Sequence, residues 1–385
     1  MRNRSTKRES GFSLLEMTVS VALGAIVLGA AVQIYIQGVQ ATWSTTQRAE
    51  LQQDFRAASN MLTTDLSLAG AGLTQGASIP LPNATTPVYG CAQTGSAPYP
   101  CYINLVSVPY PKQGATPYMY GLLTGYDVGP TLLTAQGPTD TTTVVYTDNN
   151  FYLDCYTATI TTATTVTFTL PGTTSANCTS ATGNAGAQHV YDPAVGLVPG
   201  DLVLFSFGSV NVVAEVTTAA TAGGVATFAP NDALIMNQAS TVQYSLAYQF
   251  AHGPVVGYAT RILVVSYYVD NSPTPPRLMR QVSGHIPQPV AENVVYLKFT
   301  YNLFNDTTDA PAINCSNPGA ASDGCSGAST GLLPNQITQI NIQNMAIDST
   351  LNSSQFGQNN GYQRMDLQTS VSARNLTYVN NYPVN

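Results

Sequence analysis

Apolar and polar positions divide the chain into two unlike regions. From Phe12 to Ile36 the residues are almost wholly apolar, and "MTVSVALGAIVLGAAV" (Met17 to Val32) is interrupted only by Thr18 and Ser20. A bilayer core is crossed by about 20 such residues in a helix, so 12–36 predicts a transmembrane span. The apolar positions then thin to Leu51, Phe55, Ala58, Leu62, Leu66 and Ala69, with Gln, Arg, Asp and Asn between them. That spacing continues the helix with one face suited to packing on a domain, and Gly70 and Gly72 supply a stop.

Beyond Gln75 the period changes. Thr142–Tyr146, Thr164–Leu170, Asp201–Phe207, Thr241–Phe250, Ile262–Val269 and Val294–Tyr301 are rich in β-branched and aromatic residues and bounded by turn formers, which predicts strands. Gly208-Ser209 reads as a two-residue hairpin turn, and Gly223-Gly224 as a second. The expected fold class is therefore α+β: a long amino-terminal helix followed by a β-rich domain over 75–385.

Charge sharpens this division. Only 9% of the 385 residues are charged, and the net charge is −7. Arg2, Arg4, Lys7 and Arg8, offset by Glu9, precede Gly11, and without these five the remainder holds 9 basic against 19 acidic side chains. An acidic remainder with no Lys/Arg cluster argues against nucleic-acid binding through the globular part. Basic residues before the span favour a cytoplasmic amino terminus, with everything after it outside. Between Glu16 and Arg48 the chain carries no charge at all. A lone carboxylate at the mouth of an apolar span is costly and calls for a role.

The six cysteines fall into three local couples, Cys91 with Cys101, Cys155 with Cys178, and Cys315 with Cys325. Each couple closes a loop rich in Gly, Pro, Asn or Ser, and none has CxxC spacing, so structural disulfides in an oxidising compartment are expected. Fifteen pairings are open to six cysteines.

The segment "GFSLLEMTVSVALGAIVLG" resembles the amino-terminal signature of type IV prepilins. The resemblance implies a cleaved leader over 1–11, cut by a prepilin peptidase/N-methyltransferase between Gly11 and Phe12, and methylation of Phe12. Glu16 then becomes the fifth mature residue, which meets a neighbouring subunit's amino terminus as helices stack, or is read by the processing enzyme. Major pilins commonly carry Pro at the twenty-second mature position, where this chain has Gln33. An ordinary cleaved signal, with "LGAA" (Leu28 to Ala31) as its site, and a plain anchor are the competing readings.

Further along, "RILVVSYYVDNSPTPPRLMRQ" (Arg261 to Gln281) and "ENVVYLKFTYNL" (Glu292 to Leu303) resemble the strand pattern of PilW-like minor pilins and, more distantly, J-type pseudopilins. Arg280 fills the LxR-like position, and Ile337–Asp348 and Met365–Leu376 fit later strands. The resemblance implies a pilin-like fold with the long helix (12–70) packed on an antiparallel domain. It leaves an insert over about 79–234, expected to be a surface elaboration. The implied function is a minor pilin for pilus assembly, priming or tip presentation, supporting motility, adhesion or DNA uptake. The expected partners are other minor and major pilins, after residence in the inner membrane and before a place in the periplasm or surface fibre, with the surface ligand unassigned. A J-type subunit of a type II secretion system and an anchored adhesin are the alternatives.

No catalytic constellation stands out, so no enzyme and no cofactor are expected. His189, His252 and His285 lack metal-ligand spacing and read as surface or hydrogen-bonded imidazoles. "TDNNFYLD" offers Asp148 and Asp154 as a weak calcium candidate without EF-hand spacing. The Tyr-rich segment from Tyr110 to Tyr126 reads as loop packing or an aromatic patch, and Ser272–Pro276 as a stiff connector.

Overall fold

The computed structural model describes residues 13–73, 78–85, 87–89, 108–148, 151, 153–170, 190–272, 274–305, 310–318, 325, 332–350 and 361–376. The chain divides into two units, Met1–Gln52 and Gln53–Asn385. One helix, Leu14–Ser67, supplies most of the first and opens the second, and it runs without interruption through Gln33, as the absence of Pro there allows.

In the second unit the expected apolar face is realised. Ala58, Leu62, Leu66 and Ala69 are fully buried, and Phe55 is half-buried. The helix ends where the glycines predict. Gly70 donates to the Val145 carbonyl at 2.9 Å and Thr147 donates back to Ala71 at 2.9 Å, stitching the exit to a strand. Gly72 has φ +75°, and a Cβ there would meet Thr147 Oγ1 at 1.9 Å, so both backbone conformation and space demand glycine.

The β architecture turns on one strand, Val256–Asp270. Its amino-terminal part lies between Leu202–Phe207 and Thr157–Thr162, and its carboxy-terminal part pairs with Thr141–Thr147 and Arg277–Val282. Val210–Glu215, Thr165–Thr169, Val225–Thr227, Leu122–Gly125 and Gln288–Glu292 complete a ten-stranded sheet. From Val264 to Asp270 every residue of the central strand is buried, the signature of a strand covered on both faces. Thr157–Thr162 alternates instead, with Ala158 and Ile160 inward and threonines outward, over a core that includes Phe168, Phe205, Phe207 and Phe228. A separate antiparallel sheet runs Ala310–Cys315, Val294–Asn305, Ile337–Asp348, Arg364–Ser372.

Several expectations change here. Thr241–Phe250 is not a strand: Tyr244 takes φ +64°, Ser245 accepts a hydrogen bond from Tyr248 N at 3.0 Å, and the capped helix Leu246–His252 follows. Leu246, Ala247 and Gln249 are adequate helix formers, so an N-cap overrides the β-prone residues before it. Among the described residues the last strand is Arg364–Ser372, and the chain has turned helical by Arg374. The segment over 79–234 is no surface elaboration: Thr141–Thr147 is buried at every position, and three of the segment's strands pair with the central one. Gly208-Ser209 does make the tight hairpin, joining Phe207 to its partner Val210 with Gly208 at φ +69°. At Gly223-Gly224 the chain also turns, with Gly224 N donating to Thr221 O at 2.8 Å.

Candidate functional site

The first unit presents an unusual surface. Leu14, Val27, Ile34 and Trp43 are 82%, 68%, 71% and 61% exposed, and the helix is long and apolar enough to cross a membrane. Its polar side chains are absorbed by its own backbone: Thr18 Oγ1 donates to Leu15 O at 2.9 Å, Ser20 Oγ to Glu16 O at 2.6 Å, and Thr42 Oγ1 to Gly38 O at 2.9 Å. Such internal bonding leaves few polar groups for a hydrocarbon environment to strand.

Glu16 occupies the third helical position and turns back, its Oε2 accepting from Ser13 N at 3.3 Å. This is half of a capping box, and it sets a negative group against the positive end of the helix dipole. The carboxylate thus organises the start of the helix while remaining exposed. Gly11 and Phe12 lie outside the described residues.

Residues 6–32 match the family model of the prokaryotic N-terminal methylation motif. The match supports a type IV pilin-like or pseudopilin-like protein, a motif family whose members are structural. It implies processing by a prepilin peptidase and assembly with other pilins, and with the apolar helix it suggests membrane anchoring beforehand. The prepilin motif covers the amino-terminal segment only. No curated protein and no solved structure matches the chain.

Within the second unit, Arg280 holds Asp65 of the helix. Its Nε donates to Asp65 Oδ2 at 2.7 Å, Tyr267 OH donates to the same oxygen at 2.6 Å, and Tyr146 OH reaches Oδ1 at 3.3 Å. Burial, with Asp65 adding to it, pushes the Tyr146 phenol up to about 12. Burial opposes the Arg280 charge, but its bond to Asp65 outweighs this and raises the guanidinium pKa. Sequence reading placed Arg280 on a strand and missed Asp65, which lies 215 residues away. Asp65 does interrupt the apolar face one residue before Leu66, a signal that was available.

Glu215 and Asp232 form a second buried acid site. Glu215 Oε2 accepts from Leu234 N at 2.8 Å, while Asp232 accepts from Met236 N at 2.6 Å and Asn237 N at 3.0 Å. Burial and then the neighbouring Asp232 push the Glu215 carboxyl up to about 9, and burial raises the Asp232 carboxyl as well.

The remaining candidates resolve locally. Asp148 does not stand open for calcium: it accepts from Arg261 Nε at 2.8 Å and Nη2 at 2.5 Å, while Asp154 lies exposed in the turn Leu153–Cys155. Among the described residues no group of three or more His, Cys, Asp or Glu could hold a metal. His285 Nε2 lies 2.8 Å from Asp201 Oδ1 and His252 Nδ1 lies 3.1 Å from Tyr248 O, whereas His189 lies outside the described residues. Cys315 is bonded to Cys325 and Cys155 is disulfide-bonded. Cys91, Cys101 and Cys178 lie outside the described residues. Tyr110 and Tyr120 are buried, with the Tyr110 ring 4.9 Å from that of Tyr89 and tilted 56° to it, so most of that segment is packing.

Proposed function

We propose that the chain is a PilW-like minor pilin, cut between Gly11 and Phe12, methylated at Phe12, and drawn from the inner membrane into a fibre with other minor and major pilins. The observation that carries the reading is an apolar helical surface left exposed from Leu14 onward, through and beyond the matched methylation motif. An exposed apolar stripe of this extent needs lipid or other helices as its environment. In the fibre, Glu16 meets the amino terminus of a neighbour and sets the register, while the β domain supports priming, tip presentation, adhesion or motility.

Sequencing the mature amino terminus tests the processing: N-methylated Phe12 is expected, and any other start overturns the assignment. Glu16→Ala should leave the β domain folded yet lower incorporation into fibres. Normal incorporation overturns the register role. Cross-linking in the native cell distinguishes a pilus subunit from a J-type subunit of a type II secretion apparatus by which assembly is captured.

A further inference from the structure

Lys298 is one of three lysines in the chain, and its side chain is less exposed than those of Arg261, Arg280 and Arg364. Its ammonium touches two carboxylates, Asp127 Oδ1 directly and Asp140 Oδ1 at 2.7 Å, and its Nζ stands 4.5 Å over the Tyr126 ring. The Lys298 side chain is 10% exposed and that of Asp140 only 1%. Asp140 is itself fixed, with Oδ1 accepting from Asp127 N at 2.8 Å and Oδ2 from Phe299 N at 3.0 Å. Among the described residues the other carboxylates of low exposure in ion pairs, Asp148, Asp201, Asp65 and Asp348, use Arg261, Arg280 and Arg364, with His285 also on Asp201. Arginine is the better partner for a permanent buried pair because its fork is pre-organised and always charged, whereas lysine alone can become a nucleophilic amine.

We propose that Lys298 and Asp127 are joined by an intramolecular amide bond, with Asp140 carrying the proton. The ammonium first passes a proton to the Asp127 carboxylate, giving amine and neutral acid. The Lys298 nitrogen then bonds to Asp127 Cγ, its surplus proton moves to Asp140, and Asp140 returns it to the departing hydroxyl as the C–O bond breaks. Ammonium and carboxylate become amide and one water, Asp140 is restored, and no oxidant or cofactor is consumed.

Three features favour the step. The reacting groups are held in contact, which replaces a bimolecular encounter. Burial raises the Asp140 pKa against the lowering effect of Lys298 and two backbone N–H groups, which suits a group that must both take and give a proton. The neutral amide spares the Lys298 nitrogen the desolvation cost of an ammonium, Asp127 at 37% exposure gives the released water an exit, and Asp140 keeps its bonds from Asp127 N and Phe299 N. The hydrogen bonds to Asp127 and Asp140 keep unreacted Lys298 charged despite burial, so the reaction is a slow, single maturation event. Its product ties the turn after Leu122–Gly125, at the rim of the ten-stranded sheet, to Val294–Asn305 in the four-stranded sheet.

Intact-mass measurement of the purified full chain, followed by tryptic mapping after denaturation, tests the proposal. The expected mass is one water below that of the disulfide-bonded sequence, with no cleavage at Lys298 and a branched peptide joining Asp127 to Lys298. Lys298→Arg and Asp140→Asn should restore the full mass while keeping the circular dichroism of the parent. Full mass in the parent with normal cleavage at Lys298 overturns the bond, as does a water loss confined to one peptide, which marks a cyclic imide. A branched peptide persisting in Asp140→Asn overturns the proton-carrying role.

Discussion

Glu16 and Asp65 are carboxylates on the same helix in opposite circumstances. Glu16 is exposed, and its carboxylate accepts from the backbone of Ser13 three positions away. Asp65 is buried and receives an arginine and two tyrosines from distant strands. Burial thus separates a carboxylate served by its own helix start from one served by distant strands. The apolar residues around each follow the same division, with Leu23 and Val27 exposed and Leu62 and Leu66 fully buried.

The contrast can be broken at its strongest point first. Leu62→Ala removes a fully buried side chain from the helix and should lower the stability of the β domain by about 2–5 kcal/mol, read as a shifted denaturant midpoint. Asp65→Ala leaves the Arg280 guanidinium and two buried phenols without their acceptor. Since Arg280 keeps a quarter of its side chain exposed, the loss should be about 2–4 kcal/mol in the same titration.

Acid sites inside the domain sharpen the comparison through pH. The Glu215 pKa is raised on folding, so its contribution is fully present below the ordinary value of 4.5 and is lost as pH climbs to about 9. Melting temperature should therefore fall across that window, and Glu215→Gln should flatten the fall. An unchanged slope in the variant would assign the pH dependence elsewhere. At the small end, Leu23→Ala on the exposed stretch should move the domain's denaturant midpoint by less than about 0.5 kcal/mol.

The sequence carried what is periodic. The helix, its stop at Gly70 and Gly72, the strand Thr165–Thr169 and the turn at Gly208-Ser209 all follow from local rules, as does the strand Ile337–Asp348. It did not carry what is distant. No local pattern pairs Asp65 with Arg280, or Lys298 with Asp127, because each contact depends on strands that the sheet brings together. Thr241–Phe250 misled because aromatic and β-branched residues mask a Ser245 cap whose effect is a single hydrogen bond. The segment over 79–234 looked separable because its polar threonines suggest solvent, yet Thr142 and Thr143 are buried, with Thr143 hydroxyl-bonded to Ser266 at 2.6 Å.

The central strand Val256–Asp270 also imposes an order of events on folding. Synthesis finishes Thr141–Thr147, Thr157–Thr162 and Leu202–Phe207 before their shared partner exists, so Thr147 must wait for Ile262 and Leu202 for the same residue. Until then the nascent chain holds open strand edges, the species most prone to pair with a neighbour. Such non-local pairing makes for slow closure. Truncation before Val256 would leave those edges open permanently.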